Sequence, residues 1–447
     1  MNSETLLDAA DALVAAARRA GADAADAVGR ASLSNGVGVR LGQLEDLERS
    51  EGIEAGLRVF VGRRSASVSS ADLSHTAFTE LAERAVAMAR HAPEDPYAGL
   101  APEDRLACAP FPDLDLADDA DPSPEALRQR ALEVEDAARS VAGVTNSEGG
   151  SASATCASAA LVTSTGFARG YSGAAHSLSA SVIAGEGGGM QRDYAVRSTR
   201  HFVDLPPPAD IGRLAGERTV ARLAPAAMES GAMPVVFDRR VSASLLDHLL
   251  GAMTAPAVAR KASFLLGCED EALLPEGLRV VEDPLRPRGL RSRPFDGEGV
   301  ACTRRVLVED GRLTGWLTNV ASAAQLGLPL TGHAARGTGG APGVSVTNVD
   351  LEGGAGSVAD LIADIREGVL VDYLIGQGFN PVTGDYSRGA AGRRIVNGTV
   401  EGPVAGFTIA GNLLGMLATM RAADDLETHR AINAPTLRID GMTVAGG

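Results

Sequence analysis

Seven histidines, four cysteines and a scatter of carboxylates are the side chains from which this chain could build a metal or nucleophilic site. The most suggestive segment is Leu245-Leu246-Asp247-His248-Leu249-Leu250-Gly251-Ala252, which follows a short apolar strand over 233–237. A strand leading into a helix is where a zinc peptidase presents two imidazoles one turn apart, beside a carboxylate that activates water. Here one imidazole is present, and none of His75, His91, His176, His201, His248, His333 and His429 stands one helical turn from another. Asp247 and His248 joined by His333 or Cys302 from elsewhere would make a divergent site. The simpler reading is a satisfied histidine on a helix near an interface.

Other chemistries have weaker signals. Cys108, Cys156, Cys268 and Cys302 form no CxxC pair, so the chain reads as reduced and cytoplasmic. Gly185-Glu186-Gly187-Gly188-Gly189-Met190 lacks the last glycine of a dinucleotide loop and reads as a turn within a meander. Gly337-Thr338-Gly339-Gly340-Ala341-Pro342-Gly343 has no Lys-Ser/Thr and is not a phosphate loop. No Gly-x-Ser-x-Gly elbow occurs.

The elements that would position these residues follow from composition and period. At 447 residues the chain exceeds one ordinary core, and 45% hydrophobic with 22% charged residues is a soluble, folded composition. A net charge of −16 and scattered arginine doublets argue against direct nucleic-acid binding. The start, Met1-Asn2-Ser3-Glu4, has no basic, apolar leader, and no stretch approaches a membrane span, so no membrane role is expected.

We expect an α+β protein. Helix-plus-antiparallel-meander units fill an N-terminal domain (1–105) and a middle domain (106–228), followed by a β-rich mixed C-terminal domain (229–447). Ser3 starts a helix closed by Gly21, and period-two segments at 37–41, 53–61 and 65–69 precede a helix over 74–90. An acidic, Pro-rich linker spans 92–122. The middle unit has a helix over 123–141, small-residue strands at 151–163, 175–184 and 192–201, and a helix over 211–223 after Pro206-Pro207-Pro208. The last unit has helices over 241–253, 357–367 (Ser357 and Asp360 fit a capping box) and 412–421. It also has hairpins turning on Asp310-Gly311, between 301–308 and 313–319, and on Asn397-Gly398.

Longer motifs carry a resemblance. They are Arg291-Ser292-Arg293-Pro294-Phe295-Asp296-Gly297-Glu298-Gly299-Val300, the run from Leu374-Ile375-Gly376 to Arg388-Gly389-Ala390, Thr408-Ile409-Ala410-Gly411-Asn412-Leu413, and the ending from Pro435 to Gly446. With these the chain resembles the TldD/PmbA family, and within it the PmbA (TldE) branch, formerly labelled modulator of DNA gyrase. The resemblance is dense from 230 onward and weaker over 30–200. It implies a cytoplasmic, heterodimeric metalloprotease whose TldD-type subunit carries zinc on His-Glu-x-x-x-His plus a later Cys, and whose substrates are unfolded polypeptides.

Laid on this chain without gaps, that motif puts the first ligand on Asp247, the catalytic Glu on His248 and the second ligand on Ala252. The segment 424–433 holds no cysteine. The resemblance therefore implies a degenerate site with no catalytic residue, metal or cofactor in this chain, zinc in the partner, and a subunit that is itself silent. A stand-alone homodimeric metallohydrolase using a site near His248, or a non-enzymatic polypeptide-binding protein, remains the alternative.

Gly376, Gln377, Gly378, Asn380, Thr383, Gly384, Asp385 and Arg388 are the candidates to face peptide or partner, with Asp385 and Arg388 able to pair locally or across an interface. The competing reading is that this loop only closes a β-structure. The small-residue strands at 151–163 and 175–184 would suit an edge that captures an unfolded peptide by strand addition, if they are not flat faces packed on helices.

Overall fold

A computed structural model of the chain describes residues 3–269 and 271–446; Met1 and Asn2, where the targeting signal was sought, lie outside them. Helix α1 (Ser3–Arg19) buries Leu6, Ala10, Leu13, Val14 and Ala17 at the spacing its sequence shows. Strands β1 (Ala24–Arg40), β2 (Gln43–Val61) and β3 (Arg64–Ser70) form an antiparallel meander. Helix α2 (His75–His91) follows, its first turn capped by the Ser74 hydroxyl, which accepts from the Ala77 N–H.

The same order recurs in α3 (Pro124–Arg139), β4 (Val144–Thr163), β5 (Ala168–Ala184), β6 (Gln191–Thr199) and α4 (Pro208–Val220). The two meanders are one sheet. β1 pairs antiparallel with β4 from Asp26↔Thr163 to Val39↔Gly150, giving the order β3-β2-β1-β4-β5-β6.

That topology corrects the strand-capture idea. Residues 151–163 lie between β1 and β5, and 176–184 are covered by β6, so neither segment offers a free edge. Free edge lies instead on β2, whose first ten residues are exposed and extend beyond its pairing with β3. The prolines at 206–208 do not precede the next helix at a distance. Pro207 is its N-cap residue and Pro208 opens it, where the missing N–H costs nothing.

The C-terminal unit begins with β7 (Gly231–Phe237) and α5 (Arg239–Ala252). Strands β8 (Arg279–Glu282), β9 (Arg305–Glu309) and β10 (Arg312–Leu313) come next, then β11 (Ala334–Ala335), β12 (Gly343–Val344) and β13 (Val349–Glu352). The last are β14 (Glu367–Ile375), β15 (Asp385–Val396), β16 (Thr399–Asn412), β17 (Arg421–Ala422), β18 (Ile432–Asn433) and β19 (Leu437–Gly446). One sheet runs β10-β9-β8-β13-β18. Another runs β16-β15-β14-β7-β19-β17 and curls into a partial barrel because β16 also pairs with β19. Val235, Phe237, Leu245, Leu249, Val369, Ile409 and Leu437 fill its core.

Both glycine hairpins form, with Asp310-Gly311 and Asn397-Gly398 all at positive φ, the geometry of a type I′ turn. The first is shorter than expected, being limited to β9 and β10. The Ser357–Asp360 capping box also forms, but the helix spans only Val358–Ile362. Parallel pairing with β7 claims the chain for β14, which begins at Glu367.

A buried charge cluster joins the units. Asp26 of β1 meets Arg58 of β2 at 2.5 Å and Arg336 of the C-terminal unit at 2.5 Å, and Arg58 also reaches Glu298 at 3.3 Å. Burial alone would raise the Asp26 pKa, but the Arg336 and Arg58 charges and hydrogen bonds outweigh it and hold it below the usual carboxylate range. Glu298 is pushed up to about 7 by burial, against the pull of Arg58. Beside this cluster Phe295 packs on Phe111, Phe167 and Tyr171. Asp26→Asn leaves two buried guanidinium groups short of their counter-charge and is expected to cost about 3–5 kcal/mol. The same change at exposed Asp46 should stay within about 0.5 kcal/mol. Denaturant unfolding of both variants checks this.

Candidate functional site

Helix α5 carries the three positions singled out in the sequence and sends them in three directions. The Asp238 carboxylate caps it by accepting from the Arg240 N–H. Ala252 is buried in the core, where its methyl can ligate nothing. Asp247 opens into a cavity of about 490 Å³ between the last unit and β6. Surrounding protein removes enough water to raise the Asp247 pKa, and Arg291 opposes that rise.

His248, next along the helix, turns under the 376–388 hairpin. Its ring stacks on Phe379 at 4.0 Å between centroids and meets Tyr386 edge-on at 6.1 Å. Its Nε2 is buried without a hydrogen-bond partner. Burial, and then the Arg388 charge, lower its pKa, so the ring is neutral at neutral pH. Burial pushes the Tyr386 hydroxyl up to about 12.

The hairpin is pinned from within. The Asn380 side chain accepts from the Val382 N–H at 2.9 Å, and the Gly384 N–H donates to the Asn380 carbonyl at 2.9 Å. The Thr383 hydroxyl donates to Asp385 at 2.6 Å, and the Asn412 amide donates to the Thr383 carbonyl and to Asp385. Gly378 sits so close to the Ser387 carbonyl that an added Cβ would lie 1.8 Å from it. Gly376 and Gln377 are exposed at the tip, with Ile375 and Val382 as apolar neighbours.

Asp385 and Arg388 do not pair. Along an extended strand residues 386 and 388 share a face and 385 takes the other, so Tyr386 covers His248 and Arg388 reaches the Asp247 cavity while Asp385 stays at the turn. The sequence reading missed Phe379 and Tyr386. Their signal was rarity, two rings in one loop of a chain only 4% aromatic.

The other proposed ligands are engaged elsewhere. His333 is buried between Glu282 (Nε2 to Oε2, 2.5 Å) and the Thr331 hydroxyl (Nδ1, 2.8 Å). Cys302 is buried and donates to the Gly332 carbonyl, and burial pushes its thiol up to about 12. The segment 424–433, where the resemblance would place a ligating cysteine, is tied to α5: Arg430 donates to the Arg240 carbonyl, and Glu427 pairs with Arg239 at 2.8 Å.

These residues do not fit a zinc ion. Among the described residues no three His, Cys, Asp or Glu side chains converge to hold a metal. The orphaned His248 Nε2 faces aromatic rings and a guanidinium rather than further donors. The cavity wall near Asp247 carries Arg240, Arg291, Arg388 and Arg430.

Comparison with known proteins gives the family. Models of the PmbA/TldA metallopeptidase match as domain 1 over residues 25–89, the central domain over 117–223 and the C-terminal domain over 230–446. The chain belongs to the PmbA/TldD metallopeptidase family. It is 38% identical to the metalloprotease PmbA of Escherichia coli O157:H7, over 92% of this chain and 89% of that one. It is 35% identical to a PmbA homologue of Haemophilus influenzae, over 99% and 96%. A Bacteroides thetaiotaomicron protein described as a modulator of DNA gyrase superposes with a TM-score of 0.90 at 25% identity, covering 98% of each chain. TldE of Thermococcus kodakarensis shares the fold with a TM-score of 0.86 at 21% identity, over 98% and 99%.

The buried imidazole gives a signed pH effect. In the unfolded chain His248 takes a proton as pH falls through about 6.5, whereas the native ring resists, so its contribution to stability is lost as pH falls below that value. His248→Phe keeps the stack on Phe379 and removes the proton. Its thermal midpoint should fall less than the parent's between about pH 7.5 and 5.5, as read by scanning calorimetry.

Proposed function

We propose that this chain is a PmbA/TldE-type, catalytically silent subunit of a cytoplasmic zinc metallopeptidase that degrades or processes unfolded peptides. Zinc and the water-activating carboxylate belong, on this reading, to a TldD-type partner, and this chain shapes the peptide chamber. The observation that carries it is the α5 site. Where a peptidase needs converging donors, this chain has a buried alanine, an imidazole closed under Phe379 and Tyr386, and an aspartate in a cavity lined by arginines. The 376–388 hairpin, fixed by its own hydrogen bonds and exposed at its tip, supplies a rigid surface for partner or peptide.

The test is cleavage of an unstructured polypeptide by the purified chain alone and mixed with a TldD-type subunit. Cleavage is expected only in the mixture and should stop when zinc is chelated. Cleavage by this chain alone, at a rate that follows its own metal content, would overturn the reading in favour of a stand-alone hydrolase.

A further inference from the structure

Beyond the Asp247 cavity lies a second, of about 660 Å³, between the end of β6, the 286–290 loop and the 427–430 loop. Five arginines line it, Arg197, Arg200, Arg286, Arg288 and Arg430, in a chain whose net charge is −16. Its carboxylates are already engaged. Asp204 pairs with Arg288, which also holds Asp115, and Glu427 pairs with Arg239 outside this set. Arg286 pairs with Asp350.

Three cations are left over. Among the described residues no carboxylate lies within 4.0 Å of Arg197, Arg200 or Arg430. Arg200 donates only to the carbonyls of Gly289, Ala174 and Leu290, and Arg430 to that of Arg240. Arg197 Nη1 has no hydrogen-bond partner. Burial lowers the pKa of Arg197 and of Arg200; at Arg197 the Glu427 charge opposes that fall without reaching pairing distance, and the Arg430 and Arg239 charges add to it. His429 offers no compensation: burial and the Arg197 and Arg430 charges lower it to about 4, so it is neutral. Unpaired guanidinium groups gathered in a concave site are an electrostatic sink for an anion.

The size and course of the site narrow the anion. Arg430 also walls the Asp247 cavity, where Arg291 and Arg388 continue the positive lining. The cations thus form a track, which suits charges spaced along an extended chain better than one small oxyanion. Single-stranded nucleic acid would need aromatic platforms for its bases, and no phenylalanine, tyrosine or tryptophan lines this cavity. The two tyrosines of the Asp247 cavity, Tyr194 and Tyr373, already carry the guanidinium groups of Arg240 and Arg222 on their rings.

We propose that this arginine-lined cavity binds the carboxylates of an acidic segment of an unfolded polypeptide. The proposal rests on the peptide-handling reading above and names the substrate class. Its test needs neither cleavage nor a partner. Two labelled unstructured peptides, one of alternating Glu and Ser and one with Gln in place of every Glu, are titrated with the full-length chain by fluorescence anisotropy.

The Glu peptide should bind about tenfold more tightly or better, with the advantage shrinking as salt rises. Arg197→Gln, at a side chain whose Nη1 makes no internal bond, should reduce that advantage several-fold without lowering the thermal midpoint. Arg197→Gln combined with Arg430→Gln should abolish it. Equal binding of the two peptides, or an undiminished preference in a folded Arg197→Gln variant, would overturn the proposal. So would displacement of the Glu peptide by an equal concentration of inorganic phosphate, which marks a free-oxyanion site, or of a single-stranded oligonucleotide, which marks a nucleic-acid site. A failed titration leaves the silent-subunit reading to its own cleavage test, and a silent mixture there leaves this binding result intact.

Discussion

The arrangement depends on one carboxylate. Asp26 has almost no access to water, and two guanidinium groups from distant parts of the sequence converge on it. A buried ion cluster of this kind gives little net stability against an apolar equivalent, but it is unforgiving of misalignment, because any one charge left alone in the interior is costly. Arg336 can meet Asp26 only if the C-terminal unit sits at one place on the six-stranded sheet. Asp296 extends the same logic by accepting the N–H groups of Glu298, Val300 and Ala334. The conspicuous 291–300 motif is thereby explained as a docking loop. Its acidic residues hold backbone and arginine in place, and its phenylalanine plugs the apolar half of the joint.

With that joint fixed, β6 lies across from α5, and the cavities between them acquire their charge. Two unit charges about 4 Å apart interact by about 4 kcal/mol at an effective dielectric near 20, and a divalent ion doubles the figure. Arginines lining the Asp247 cavity therefore oppose a metal ion there. Fold likeness to solved structures, even at high TM-score, does not disclose chemistry of this kind, because it lies in side chains.

How much of this the sequence disclosed depended on range. Local signals were legible: α1 and α2 from their apolar periods, the 358–362 helix from its capping box, and two hairpins from Asp-Gly and Asn-Gly. Strand order was not, because pairing of β1 with β4 is set by two stretches more than a hundred residues apart whose patterns suit several neighbours. That is why 151–163 and 175–184 could be read as a capturing edge as well as flat faces packed on helices. At the site, Asp247 and Ala252 could be read from the chain itself as non-matches to the zinc motif that the resemblance implies. The stacking of His248 on Phe379 could not, since the ring that covers it arrives from another hairpin.

The scarcity of aromatic residues ties these points together. Cores of Ala, Val and Leu require close approach of backbones, and glycine permits it: a Cβ at Gly212 would fall 2.2 Å from the Val134 carbonyl oxygen, and one at Gly150 would fall 2.4 Å from that of Ala131. Helices α3 and α4 can therefore press together and onto β4 without large side chains between them. Some rings still fill the cores, Phe237, Phe407 and Phe78 among them, but others stand where elements must be joined at a distance. One group, Phe111, Phe167, Tyr171 and Phe295, closes the joint between units. Another, Phe264, Phe379 and Tyr386, closes over His248. In a chain built this way an aromatic cluster marks a junction that small residues cannot make, and the second cluster marks the seat of the 376–388 hairpin on α5.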